Sequence, residues 1–492
     1  MKKLNTLFDL YSSVLAKVLL IVFFLLNVQS ASHSQILKLG QSVVTSFQDN
    51  ITSYSVVRIV DTRNIPPFVA GGNHWIQNQF FKPDWVYNRM YNVFGIALDN
   101  IAVPNIFVSS TSVYCNQFIT TDSILIYRID GITGAVTNYV RRENSLGAPV
   151  AGVDWIRNMN IGPGAASNIG NICFDKFHDQ LLATNMEDGR IYIIRDNTLG
   201  RGIVFNFYDF DLPNNDNDPG FAPMGQRLWG IGSYGTNKND VRVYFGRWRF
   251  DKARPNTANQ YNEIWSIALN TVGDFVPTTV KKEIEIPKLP DSTYSNPVSD
   301  IEFSFRGDML LGERTMAGDQ GDCVGSPGNW AHKSRILEYP RNISGNYTSF
   351  IWHKVGLMNP PIGLPFKSNS AGGVDFDYGV SDSLTGLNSD CDSTIIGTGD
   401  YLLLSNPPGF FQAWYGLQVT KRSSAGALNV EDYSHVIDLN GLDDIYDKTK
   451  QGDVDVYRLD VCDDTTCIKI MRDTTYCDST GTYIYEFQVF NN

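Results

Sequence analysis

The sequence predicts an all-β chain built as a β-propeller, and three observations carry that prediction. A strand-length apolar phrase returns five times, helical periodicity is nearly absent, and strand-like runs are left over at both ends. The phrase reads VFGIALDN at Val93, IGNICFDKFHDQLLATN at Ile169, LWGIGSYG at Leu228, VSDIEFSFRGDMLLGER at Val298 and AGGVDFDYG at Ala371. Each copy is an apolar run, a polar turn and a second run rich in Leu, Val or Ile. Recurrence about every 60 to 75 residues indicates a stack of similar small sheets rather than one large sheet. Outside the N-terminus no 3.6-residue period is sustained, and the runs VRVYFGRWRF, DGRIYIIRD and SILIYRID carry the Tyr, Phe and β-branched residues that a half-buried pleated surface selects.

Extending each copy forward gives four antiparallel strands, the unit of one propeller blade. In the second copy they are GNICFD, DQLLATN, RIYIIRD and GIVFNFYDF; in the fourth, DIEFSF, DMLLGER, SRILEYP and YTSFIWHKV. Five blades therefore begin near Val93, Ile169, Leu228, Val298 and Ala371. The sixth is split: QSVVTSFQ and SYSVVRIVD precede the first blade and DVDVYRLDV follows the last. Joining them closes the ring and removes the open sheet edges that invite aggregation. Six blades is the expected count, with seven the alternative, and the propeller spans residues 37–459.

The ends read differently. Lys2 and Lys3 precede the apolar stretch VLLIVFFLLNV, and small residues follow at Ser30, Ala31, Ser32 and Ser34. This is the pattern of an export signal over residues 1–34, too short for a membrane span, and the mature chain carries no second such stretch. The tail, residues 460–492, shows two strand signals around a Ser-Thr-Gly turn, but so short a segment cannot bury a core alone. It is expected to begin a second β module or to pack on the propeller. The seven cysteines are Cys115, Cys173, Cys323, Cys391, Cys462, Cys467 and Cys477. Cys173 reads as a core residue and the tail trio as disulfide-forming. A net charge of -12, with no basic cluster, argues against a nucleic-acid or anionic-lipid partner, since both demand a basic footprint.

Strand order assigns every loop to a face. Turns between the first and second strands of each blade are short, as in FHD and FRGD, whereas connections between blades are long. One face is thus elaborated, and long loops on a rigid scaffold concentrate binding residues. Trp155, Trp330, Phe410, Phe411 and Trp414 are the candidate ligand-binding residues there, with Trp75 and Trp85 in the N-terminal connection. Blade five breaks the rule with a long loop on the plain face that contains Cys391, which separates it from Cys115 and Cys323 on the other face.

Candidate chemistry is sparse. Aligning the inner strands puts Gly95, Asn171, Gly230, Asp300 and Gly373 at equivalent positions around the axis, where glycine suits close backbone approach. Asn171 and Asp300 are the polar members and the candidate metal ligands, with calcium the cofactor they would take; the bland reading is a satisfied polar pair. A second candidate is the acidic loop Asp211, Asn214, Asp216 and Asp218, which departs from the EF-hand pattern in its glycine and glutamate positions. Arg306-Gly307-Asp308 spells an attachment tripeptide, but turn chemistry explains it. No nucleophile elbow, phosphate loop or His-Glu-x-x-His appears.

The signal ending in SQ, the phrase DIYDKTKQGDVDVYRL and the tail CIKIMRDTTYCDSTGTYIYEFQVFNN resemble exported multimodular surface proteins of Bacteroidota, in which a propeller precedes Cys-containing β-sandwich modules. The resemblance implies a secreted or surface-exposed protein handled by the type IX pathway, adhesive in role, with further modules in the same polypeptide. The expected function is binding of an extracellular glycan or protein through the long-loop face. The alternative is a calcium-dependent propeller hydrolase or lyase working at the channel mouth.

Overall fold

The computed structural model describes residues 35–47, 53–71, 73–111, 124–141, 169–186, 189–210, 225–250, 257–289, 295–316, 333–357, 368–378, 391–405, 412–427, 429–439 and 450–458, with the strands 468–477 and 483–491. It is a six-bladed β-propeller. Blade one runs Val93–Leu98, Ile106–Ser110, Ile124–Ile129, Val136–Arg141 from the axis outward. Blades two to five begin with the inner strands Ile169–Asp175, Arg227–Tyr234, Val298–Phe303 and Ser370–Asp377. Blade six is closed from both ends: Lys450–Val456 is innermost and pairs with Ser42–Phe47, followed by Val57–Val60 and Gln79–Phe80. Each inner strand contacts the inner strands of both neighbouring blades, which sets the six around one axis. The tail strands Ile468–Cys477 and Tyr483–Asn491 pair with each other. No helix of the described residues is long and apolar enough to cross a membrane.

The core is six wedges rather than one mass. Each apolar cluster fills the space between two adjacent blades. Phe107, Ile126, Ile172 and Tyr192 fill the gap between blades one and two, and Leu310, Val374, Phe376 and Ile395 that between four and five. The cluster joining blades six and one also carries Phe94, Met186, Trp229, Trp248 and Met316. These residues stand at the long-loop end of the axis, where Phe94 and Trp229 rings lie 5.4 Å apart, and they plug the channel there. Blade five gains a fifth strand, because Asn73–His74 pairs in parallel with Ser434–Asp438.

Below that plug the inner strands crowd together at the aligned ring. A Cβ on Gly95 would overlap Asn171 Oδ1, one on Gly230 would lie 2.8 Å from the Asp300 nitrogen, and one on Gly373 would lie 2.5 Å from the Asp453 Cα. At this level all six inner strands slip register against their second strands. A bulge leaves an amide without its ladder partner, and in four blades a hydroxyl on the second strand accepts it. Gly95 N–H donates to Ser109 Oγ (3.1 Å), Asn171 N–H to Thr184 Oγ1 (3.1 Å), Gly373 N–H to Thr398 Oγ1 (2.9 Å) and Asp453 N–H to Thr45 Oγ1 (2.8 Å). Three of these hydroxyls then donate onward to the next blade. Thr45 reaches Phe94 O at 2.6 Å, Thr398 reaches Gly452 O at 2.8 Å, and Thr184 reaches Trp229 O.

One substitution isolates this rivet. Thr45→Val keeps the shape but strands the Asp453 amide and the Phe94 carbonyl in a site with no exposure, so unfolding free energy should fall by about 1–3 kcal/mol. Chemical denaturation checks it, and an unchanged midpoint would show the rivet to be dispensable.

Candidate functional site

Beyond the waist the axis opens. Along inner strands, alternate side chains share a face, and the last three blades carry acid pairs two residues apart: Asp300 and Glu302, Asp375 and Asp377, Asp453 and Asp455, with Asp375 level with Glu302 and Asp455 because Gly373 takes the first position in blade five. An inner strand is a free sheet edge, and these carboxylates satisfy its unpaired amides. Asp300, Asp375 and Asp453 each reach across to the next blade. Asp300 Oδ2 accepts from Val374 N–H (2.8 Å), Asp375 Oδ2 from Val456 N–H (2.7 Å) and Asp453 Oδ2 from Ile96 N–H (3.0 Å). The second oxygen of each caps the amide of the following residue in its own strand, at 2.9, 2.6 and 3.0 Å.

The channel widens past these acids into a funnel of about 590 Å³ at the end formed by the short turns, a size within the range of small-ligand sites. Its floor holds Glu302, Asp455 and Arg458; Phe174, Tyr234, Phe305 and Tyr457 contribute aromatic walls. The Arg458 guanidinium is held by Asp375 at 2.8 Å and Asp392 at 3.0 Å, with Glu302 at 4.0 Å. The Glu302 side chain is 27% exposed while that of Asp375 is 1% exposed, so Glu302 faces the cavity and Asp375 backs it. Burial, and then mutual repulsion, raises the carboxyls of Asp300, Glu302 and Asp455 well above the ordinary range. Burial pushes Asp377 up to about 7; its Oδ1 caps the Tyr378 amide at 2.7 Å and its Oδ2 has no hydrogen-bond partner.

The residues singled out from sequence fall in three groups. Asn171 and Asp300 are brought together as expected, across the axis, but they face each other and the backbone. Asn171 Nδ2 donates to Asp300 Oδ1 (3.0 Å) and to Ser299 O (2.9 Å), while its Oδ1 accepts the Ile172 amide at 2.7 Å. An amide nitrogen aimed at the carboxylate is the geometry of a structural pair, not of two metal ligands, and among the described residues no group of three His, Cys, Asp or Glu is arranged to hold a metal ion. Trp155, Trp330, Phe410 and Phe411 lie outside the described residues, as do Asp211, Asn214, Asp216 and Asp218.

Trp414 requires a correction: it is not a loop residue. It sits in the strand Gln412–Lys421, is 9% exposed and packs on His74 with ring centroids 3.9 Å apart. The Asn73–His74 strand covers the edge where the loop reading placed it exposed. Trp75 and Trp85 are buried as well; Trp85 donates its indole N–H to Gly134 O at 2.9 Å and caps blade one. Cys173 is a free, buried thiol and Cys391 is disulfide-bonded. Asp308 of the Arg-Gly-Asp turn gives its carboxylate to Arg422 at 2.5 Å and to the Arg341 amide at 2.9 Å, and Gly307 has φ 84°, as the turn requires.

No family model and no curated protein matches the chain. Similar solved structures include a protein from Lactobacillus plantarum at 10% identity, covering 85% of this chain and 99% of that one with TM-score 0.39. The periplasmic gluconolactonase of Pseudomonas aeruginosa gives 10% identity, 84% and 98% coverage and TM-score 0.39. A gluconolactonase from Xanthomonas campestris gives 9% identity, 82% and 89% coverage and TM-score 0.32. The fold described above rests on strand pairing and not on these likenesses.

The raised acids fix the sign of a pH effect. Their native pKa values exceed the unfolded values near 4, so over roughly pH 4 to 7 the folded chain holds protons that the unfolded chain has released. Their contribution to stability is complete below the unfolded pKa and is lost as pH rises through the native one. Thermal unfolding should therefore occur at a higher temperature at pH 5 than at pH 7.5. Asp377→Asn should flatten the slope between pH 5 and 7. A midpoint that climbs with pH throughout would contradict the assignment.

Proposed function

We propose that this chain is an exported binding protein of the cell surface that seats a saccharide-sized polar ligand in the axial funnel. The observation that carries the reading is the funnel itself: a concave cavity on rigid strand ends, with aromatic walls and charged groups converging on its floor. Aromatic faces suit the apolar side of a sugar ring, and carboxyl and guanidinium groups suit its hydroxyls. The leader-like N-terminus and the resemblance to Bacteroidota surface proteins support export, a surface location and an extracellular glycan as ligand. This placement differs from the long-loop face expected from loop lengths, where Trp414 is withdrawn into a strand.

Glu302 and Asp455, two acids at one floor, favour a second reading as a hydrolase acting at the axis. Turnover of a glycoside or ester panel that disappears in Glu302→Gln would establish it.

The binding reading makes a face-specific prediction. On a glycan array, Tyr234→Ala combined with Phe305→Ala should weaken retention about tenfold or more, whereas Trp155→Ala with Trp330→Ala should leave it within about twofold. The reverse pattern would return the site to the long-loop face.

A further inference from the structure

Resting on the funnel reading, the geometry points to a more specific ligand: a small organic cation, a protonated amine carried on a hydroxylated ring such as an amino sugar. Charge at the floor is the first reason. Glu302 and Asp455 face the cavity, while Arg458, the guanidinium at the floor, is already engaged by Asp375 and Asp392 behind it. The floor thus presents more carboxyl than cation, and an ammonium is the group that would complete it. Asp377, two residues beyond Asp375 on the same strand face, adds to the buried acid around the floor without lining the cavity. It is fully buried with one oxygen unpartnered.

The walls supply the second reason. Aromatic faces attract cations within about 6 Å of the ring centre, and this funnel already shows the preference. Arg458 lies 5.5 Å over Phe305 and Lys176 lies 5.4 Å over Phe177 at the lip. Tyr234 and Tyr457 line the same cavity. A neutral sugar would use the aromatic walls but leave the floor uncompensated.

Binding should also exchange protons. The groups at the floor are Glu302 from blade four and Asp455 and Arg458 from blade six; the buried acids around it are Asp300 from blade four, Asp375, Asp377 and Asp392 from blade five, and Asp453 from blade six. Lys176 and Asp99 stand at the rim, Asp99 held by Asn105 and raised by burial. Asp175, from blade two, is tied to His178 at 2.6 Å. An arriving ammonium favours ionised carboxylates, so it releases protons from Glu302 and Asp455 and binds more tightly as pH rises from 5 to about 7, while the amine is still protonated.

The test is calorimetric titration of the full chain with glucosamine, N-acetylglucosamine and glucose, which differ at one substituent and in charge. Glucosamine should bind at least about tenfold more tightly than either neutral sugar. Its heat should depend on the ionisation enthalpy of the buffer, and Glu302→Gln or Asp455→Asn should each reduce affinity about tenfold. Circular dichroism and unfolding midpoint confirm that these variants are folded. Equal binding of glucose, lost in the Tyr234→Ala and Phe305→Ala variant, would overturn the cation and leave the funnel standing. Glucosamine binding unaffected by either pair of variants would overturn both, and absence of saturable glucosamine binding would overturn the cation.

Discussion

Everything in this molecule depends on the waist, where six inner strands are drawn so close that several can carry no side chain. Gly95, Gly230 and Gly373 are there because a Cβ would enter a neighbouring blade. Bringing the strands this close bulges each of them against its partner and frees an amide that cannot reach water. The hydroxyls of Ser109, Thr184, Thr398 and Thr45 answer that demand, and three of them also grip the next blade. Closure of the ring and satisfaction of its backbone are therefore the same set of bonds.

The waist also divides the channel into unlike halves. On the long-loop side Phe94, Trp229 and Trp248 plug the axis with buried aromatic surface. On the other side the strands diverge, and their edge amides are met by carboxylates instead of packing. Acids were placed where backbone donors needed acceptors, and burial then raised their pKa values. A structural solution to sheet edges leaves behind it a funnel whose floor is richer in carboxyl than in cation. Glu302 and Asp455 lie where that excess meets solvent.

Much of this was legible in the sequence. The blade starts, the split sixth blade and the ring through Gly95, Asn171, Gly230, Asp300 and Gly373 follow from one recurring phrase. The turn role of Arg306-Gly307-Asp308 and the core position of Cys173 follow from it too. Two signals lay in plain view and went unread. One is the acid pair two residues apart in DIE, DFD and DVD, which period-two alternation sends to the axis. The other is the Ser or Thr recurring in FVSS, LLATN, IIGTG and VVTSF. Both become visible only when the alignment extends beyond the ring to the rest of the inner strand and its partner.

Sequence by itself determined where the blades begin and the order of the four strands in each, because apolar alternation and turn residues are local properties that repeat. It determined the glycine ring for the same reason. Only the tertiary structure decided which end of the channel is open, since that depends on Phe94, Trp229 and Trp248 from two blades meeting across the axis. It also decided that Trp414 is covered, by a strand more than three hundred residues earlier in the chain. And it decided that Asn171 and Asp300 satisfy each other, because hydrogen-bond direction is fixed by side chains converging in space and by nothing in their spacing.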